Sequence, residues 1–532
     1  MNRTQALLLC LLVLVGVSTV CSINGARLRR RNLDPKEVRL GMEARARQGR
    51  AGGPVTPPGR KLIKRDVCVL GGGPSGLSFG AFWTELNGSV IVLEVDDQYG
   101  GNCNTEFFPG GWIDIGTAAF PNTTFLNLVQ PADAWTIDSV AIANRFSGGK
   151  VIPITYAPDA PATPTYGINF ATGQSVPIPP DSTGTAFDVA FAKLFAITQQ
   201  YPWLDRAVRP SPIPAELLVS CSEWIRANDL QPLVPTLFAE VVDGNVDYDN
   251  TPALYCLIDV KPALLYILSA NNTGFVIEEG CIQMYDGMVD YIGTENVLTG
   301  VTYHSVSRPS ARENGPTRMV IQTGSGRGSR IYDIECDNVV AAFPQDLAAI
   351  EFLHPDEKES AAFAPFSFRY WAAVEFDGQG PLAAAFDGYT IFNWNTESPF
   401  LLCEPPCVQT MSRSFPFGPG GSYVVSKTYL TPTEVLAVWN EQTSKIPHSL
   451  LNGTAAINIV PHASYGPHAP VSNLAQHPNP YANIRELNED LYRATIWIST
   501  TEGDNDTVLS WQNAYNAALQ LKAAGKCKGN RE

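Results

Sequence analysis

Hydrophobic positions are spread unevenly along the chain. A continuous apolar run at residues 6–17 is followed by a polar, basic and Gly/Pro-rich stretch, and a pattern of folded elements begins only near Asp66. Asp66-Val67-Cys68-Val69-Leu70 is an unbroken β-branched run of the kind that makes a strand buried on both faces, and Val90-Ile91-Val92-Leu93 repeats it. Helical periodicity is expected from Pro214 through Trp224-Ile225, over 253–268 and from about Val508 to Leu521. Strands are expected at 337–341, 368–376 and 494–499. The Pro/Gly-rich stretches 156–180 and 415–421 read as loops.

Between the first two strands lies Gly71-Gly72-Gly73-Pro74-Ser75-Gly76, with glycine at all three positions of a dinucleotide fingerprint. Gly71 permits the tight turn, Gly73 lets a pyrophosphate approach the backbone, and Gly76 lets the next helix pack on the strand. Pro74 and Ser75 open that helix, whose N-terminal N–H groups favour an anion. Glu94, at the end of the second strand, is placed to accept from a ribose hydroxyl pair. An acid there favours FAD or NAD over NADP.

The next segments separate FAD from NAD. Gly100-Gly101-Asn102 follows the acid, and Gly111-Trp112-Ile113-Asp114-Ile115-Gly116 comes soon after. This order resembles the flavin-containing amine oxidoreductase superfamily, where a Gly-Gly segment runs along the FAD diphosphate and an Asp-x-Gly turn follows. The resemblance assigns cofactor contacts to Gly100, Gly101, Asn102, Asp114 and Gly116. Asn102 departs from the family's basic residue there and offers a neutral hydrogen bond in place of a charged one. Residues 279–292, 296–308 and 337–344 resemble the family's glycine-led helix, its adenine-facing strand with Tyr303 at the usual valine position, and the strand and proline that lead back to the FAD domain. By the same resemblance, Gly503, Asp504 and Thr507 before the last helix reach the ribityl chain.

The implied fold is α/β: a Rossmann-type FAD-binding domain interleaved with an α+β substrate-binding domain. The expected divisions are a signal peptide at 1–22, a basic, Gly/Pro-rich linker or pro-segment at 23–64, FAD-binding parts at 65–120, 276–350 and 486–532, and substrate-domain parts at 121–275 and 351–485.

Composition narrows the partners. The chain has 532 residues, 45% hydrophobic and 17% charged, enough for a sizeable core. Its net charge of −15 argues against nucleic acid or an anionic membrane surface. The apolar run at 6–17 is shorter than the roughly 20 residues of a spanning helix and has the layout of a cleaved secretory leader, so no transmembrane anchor is expected. Of 11 cysteines, Cys10 and Cys21 fall in that leader and nine remain, an odd number. In an oxidising compartment Cys403 and Cys407 are spaced to close a small disulfide loop, whereas Cys68, inside the first strand, reads as a buried apolar residue. The cysteines and six histidines show no paired ligand spacing, and no metal is expected. Sequons at Asn87, Asn122, Asn271 and Asn452 fit a glycosylated surface; Asn505 falls at the cofactor loop.

No Ser-His-Asp set stands out, so the chemistry is expected from flavin N5. The strand around 368–376 carries Arg369, Tyr370 and Trp371 where many amine oxidases have a lysine. In layout the chain resembles the polyenoic fatty acid isomerase and β-cyclopiazonate dehydrogenase-like branches. Three readings follow. The first is an FAD-dependent oxidoreductase taking hydride from a C–H bond of a small, largely apolar molecule, with O2 a candidate acceptor. The second is a polyunsaturated fatty acid double-bond isomerase, for which Arg145, Arg226 and Arg369 are the candidate carboxylate partners. The third is a non-catalytic secreted glycoprotein with a vestigial FAD fold.

Overall fold

A computed structural model describes residues 60–526 except 109–110, 118, 130–134, 155–163, 178–183, 207–208, 239–246, 270–272, 310–314, 325–327, 386–388, 395–402, 414–419, 478, 491–492, 500 and 502–505. The leader, Asn271, Asn505, Gly503 and Asp504 therefore lie outside the described residues.

Strand β1 (Lys61–Leu70) runs into the glycine turn, helix α1 (Pro74–Glu85) crosses back, and β2 (Val90–Leu93) pairs parallel with β1. A hairpin follows, β3 (Cys103–Phe108) and β4 (Gly111–Gly116). Helix α2 (Ile282–Ile292) then leads to β5 (Val297–Leu298), β6 (Val301–Ser307), β7 (Thr317–Thr323) and β8 (Arg330–Ala341). A second sheet is built from β9 (Ser367–Gln379), β10 (Tyr389–Asn393), β11 (Cys407–Arg413), β12 (Gly420–Ser426) and β13 (Gly453–His468), extended by Thr165–Asn169 and Gln174–Val176. Last come β14 (Thr495–Trp497) and helix α3 (Thr507–Ala523).

The first sheet has the order β5-β2-β1-β8-β7-β6, with β14 also on β8. β5, β2, β1, β8 and β14 are parallel, and β6 and β7 form an antiparallel flap. Parallel strands need both faces covered, and Val67, Cys68 and Val69 are fully buried. Helix α1 shows why its sequence is weakly amphipathic. Ser75 through Trp83 are all buried, because β1, β2, α2 and α3 surround the helix.

Several sequence expectations change, among them the loop read over 156–180, which holds strands Thr165–Asn169 and Gln174–Val176. β1 begins at Lys61 inside the stretch read as linker; Lys61, Lys64 and Arg65 mask it with polar side chains, while its backbone pairs with Tyr332, Glu335 and Cys336. The boundaries at 120/121 and 275/276 both fall within a small sheet in which Phe120–Pro121 and Val151–Pro153 pair with Gly274–Ile277. The helical pattern over 253–268 divides into Ala253–Asp259 and Pro262–Ser269, since Pro262 cannot continue the first helix.

Cys68 is corrected: it is joined to Cys336 across β1 and β8. Cys103–Cys281 and Cys221–Cys256 are further disulfides, and Cys403–Cys407 closes the expected loop. Among the described residues no helix is long and apolar enough to cross a membrane.

Candidate functional site

The site forms where the parallel strands end, the edge at which open α/β sheets bind ligands. Gly71 leaves β1 with φ +106°, and its N–H donates to the Leu93 carbonyl at 2.8 Å. A Cβ at Gly76 would lie 1.9 Å from the Gly71 carbonyl oxygen, so only glycine lets α1 start this close to the strand. Gly73 caps α1 without a side-chain partner, leaving the helix N-terminus to whatever lies over the turn. Ser75 is buried beneath it and Pro74 occupies the first helical position.

Three other segments close on this turn. The Gly100 N–H donates to the Gly72 carbonyl at 2.9 Å, and a Cβ on Gly101 would approach Gly73 Cα to 3.0 Å. Thr117 N–H donates to the Asn102 carbonyl at 2.8 Å, which brings the Gly116 turn alongside. The Thr117 and Thr507 hydroxyls share a hydrogen bond of 2.8 Å, docking the start of α3 on the same assembly. Residues far apart in sequence thus form one cradle lined by backbone, with Gly71, Gly73, Asn102 and Gly116 still partly open.

At its edge Glu94 is buried. Its Oε2 accepts from Gly72 N–H at 2.5 Å and its Oε1 from Asp96 N–H at 2.9 Å. Burial holds this carboxyl above its ordinary range, although those two backbone bonds pull it down. Tyr303, on β6, packs its ring 5.0 Å from Phe352, which lies 5.7 Å from Phe343. Burial, and then the charge of Glu94, pushes the Tyr303 hydroxyl up.

Asp114 has a different occupation from the one expected. Its Oδ1 accepts from the Thr105 hydroxyl at 2.5 Å and the Cys281 N–H at 3.0 Å, so it ties the hairpin to the start of α2. Burial lifts its carboxyl to about 7.

Arg145 and Arg226 do not converge on the cradle. Arg145 is a surface residue paired with Glu85 at 3.0 Å and stacked on Phe146 and Tyr291, which corrects its candidacy. Arg226 is likewise exposed, in the last turn of Cys221–Ala227. Arg369 stands on β9 in register with Tyr465, and its side chain is outside the described set.

Sequence reasoning missed three features. Thr117 directly follows the Asp-x-Gly turn, and that adjacency was its only signal. Lys261 and Asp506 form an ion pair of 2.9 Å with side chains 7% and 10% exposed, and Asp506 also caps α3 by accepting from Val508 and Leu509 N–H. Glu375 on β9 is buried, and desolvation together with the charge of Glu106 lifts it to about 7.

Comparison with known proteins gives the same picture. Residues 69–130 match the family described as NAD(P)-binding Rossmann-like domain. An uncharacterized protein, R656, of Acanthamoeba polyphaga mimivirus is 28% identical, over 82% of this chain and 89% of that one. The β-cyclopiazonate dehydrogenase of Aspergillus oryzae is 23% identical, over 85% and 92%, and an FAD-dependent oxidoreductase of Apiospora sacchari is 22% identical, over 75% and 81%. Among solved structures, the fatty acid isomerase of P. acnes that produces CLA superposes with a TM-score of 0.60 at 14% identity, covering 86% of this chain and 98% of that one. Putrescine oxidase bound to putrescine gives 0.56 at 14%, covering 87% and 100%. At these identities the structural likeness speaks for the fold.

Proposed function

We propose that the chain is an FAD-dependent oxidoreductase of the flavin amine-oxidase-like kind that takes hydride from a C–H bond of a small, largely apolar molecule in the secretory pathway, a reading supported by its FAD-dependent relatives and its fold. The observation that carries this reading is the four-segment backbone cradle around Gly73 and Gly101, because it is open where a diphosphate needs backbone N–H groups and too tight for a Cβ at Gly76 and Gly101.

The residues present fit FAD. The N-terminus of α1 and Gly100-Gly101-Asn102 would hold the diphosphate, Glu94 the adenosine ribose, Tyr303 the adenine side, and Thr507 with Gly116 the flavin end. Gly503 and Asp504 keep their proposed ribityl role from the resemblance alone. When bound, FAD supplies an electron-pair acceptor at N5. The chain's own contribution is positioning and exclusion of water: the second sheet presents Trp371, Ala373 and Tyr423 toward the cofactor-bearing half. O2 is the proposed acceptor.

Four disulfides among the described residues, with the expected leader and the exposed sequons Asn87 and Asn452, support an oxidising destination. The test is to purify the secreted protein, record its visible spectrum and add linoleic or arachidonic acid in air while following polyene absorbance and oxygen together. A flavin spectrum with turnover of an apolar C–H substrate supports the oxidoreductase. Conjugated product at constant oxygen would replace that reading with the isomerase, and failure to hold FAD after reconstitution would leave only the vestigial fold.

A further inference from the structure

Two connections leave the ligand-binding edge of the first sheet side by side, one after β8 and one from β14 to α3. The first rests directly on the glycine turn: Ala342 N–H donates to the Leu70 carbonyl at 2.8 Å, and a Cβ on Gly71 would lie 3.1 Å from the Phe343 nitrogen. The second ends at Asp506 and Thr507, which meet Lys261 and Thr117. One connection thus carries the turn and the other the start of α3.

Three side chains tie them together. Gln345 Nε2 donates to the Ala341 carbonyl at 2.9 Å, an oxygen that also accepts from Ile498 N–H at 2.9 Å. Gln345 Oε1 accepts from the Ser499 hydroxyl at 2.6 Å, Ser499 Oγ accepts from Thr501 N–H at 3.0 Å, and Thr501 Oγ1 accepts from Gln345 N–H at 3.0 Å. The Thr501 hydroxyl in turn donates to the Gln345 carbonyl at 3.3 Å, which closes the circuit. Gln345, Ser499 and Thr501 keep 1%, 2% and 2% of their exposure. Polar groups this deep cost desolvation unless each is satisfied, and a satisfied network fixes one arrangement where apolar packing tolerates several. A cradle lined by backbone needs that definition, because its contacts tolerate shifts of only about 0.5 Å.

Resting on the FAD reading above, we propose that Gln345 is a positioning residue for the cofactor: through Ser499 and Thr501 it sets the spacing between the glycine turn and the start of α3, so that both ends of the cradle fit one FAD. Thr501 stands five residues before Asp506, so the connection from β14 to α3 is pinned at both ends, by Gln345 at one and by Lys261 and Thr117 at the other.

The experiment dilutes the full-length, FAD-loaded protein and follows flavin release by the rise in its fluorescence, with the visible flavin band recorded beforehand and circular dichroism reporting the fold. Gln345→Met is expected to release flavin about tenfold faster than the wild type and to shift the band, and Thr501→Val to act in the same direction. Thr501→Val decides if Gln345→Met does not fold. Because both break one network, the double variant is expected to release flavin within about twofold of the faster single variant. Gln345→Glu supplies the rescue: at pH 5.5 its neutral carboxyl offers one donor and one acceptor like the amide, and release is expected within about threefold of the wild type. At pH 8.5 the ionised form has no donor for the Ala341 carbonyl, and release is expected to quicken relative to the wild type. Folded single variants that hold flavin as long as the wild type with an unshifted band, or single effects that multiply in the double variant, would overturn the proposal and leave the FAD reading standing. A wild type that holds no FAD would overturn both.

Discussion

Asp114 illustrates how a single side chain can stabilise geometry at an electrostatic cost. Its folded carboxyl is lifted by burial to about 7, against an ordinary value near 4. A raised acid holds its proton in the folded state after the unfolded chain has lost it, so this group's contribution to stability falls as pH rises from about 4 to 7 and is flat above. Asp114→Asn keeps an acceptor for Thr105 and Cys281 and removes the titration. Urea unfolding at pH 4 and pH 8 is therefore expected to show the variant gaining on the wild type by roughly 1–4 kcal/mol over that interval. Gly76 makes the opposite point. A methyl group placed 1.9 Å from the Gly71 oxygen cannot be relieved by a side-chain rotation, and Gly76→Ala is expected to cost about 1–3 kcal/mol and to weaken FAD retention, read by the midpoint and the bound flavin absorbance.

Among the elements, α3 depends most on a distant partner. Its cap residue, Asp506, is paired with Lys261 from the other half of the chain, in surroundings that leave little water for either charge. Removing one member of such a pair strands the other, so Lys261→Met is expected to lower stability by about 3–5 kcal/mol, with part recovered in Lys261→Met/Asp506→Asn. Because Thr507 follows the cap directly and meets Thr117, the single variant should also release flavin more readily; a melting curve with FAD in excess checks both effects. The sequence revealed α3 through its periodicity and α1 through its glycines. It could not reveal Lys261, which lies in an ordinary helix-to-helix connection far from its partner in sequence.

For the molecule as a whole, the long-range disulfides are expected to dominate resistance to unfolding. Cys68–Cys336 spans 268 residues and Cys103–Cys281 spans 178, and both tie the glycine-turn region to later segments of the same half. Closing loops of this length restricts the unfolded chain, so Cys68→Ala/Cys336→Ala is expected to lose about 2–5 kcal/mol in guanidinium unfolding. If the proposed secretion holds, enzymatic removal of N-glycans is expected to shift the mass of protein recovered from the culture medium; an unshifted mass would contradict glycosylation at Asn87 and Asn452. Arg145 and Arg226, candidate carboxylate partners in the sequence, are exposed on helices, because a charge in a linear sequence says nothing about which side of the fold it faces.

The sequence alone determined the βαβ unit, the acid at its end and the Gly-Gly segment after it, and these carry the resemblance on which the proposed FAD reading rests. These signals are local: a buried strand, a turn needing glycine and a helix start constrain residues within a few positions of one another. Tertiary structure alone decided that Cys68 is bonded, that Asp114 braces a helix, that Thr117 meets Thr507, and that Lys261 pairs with Asp506. Each of those outcomes requires two segments, most of them far apart along the chain, to arrive at the same place, and only the packed sheets bring them together.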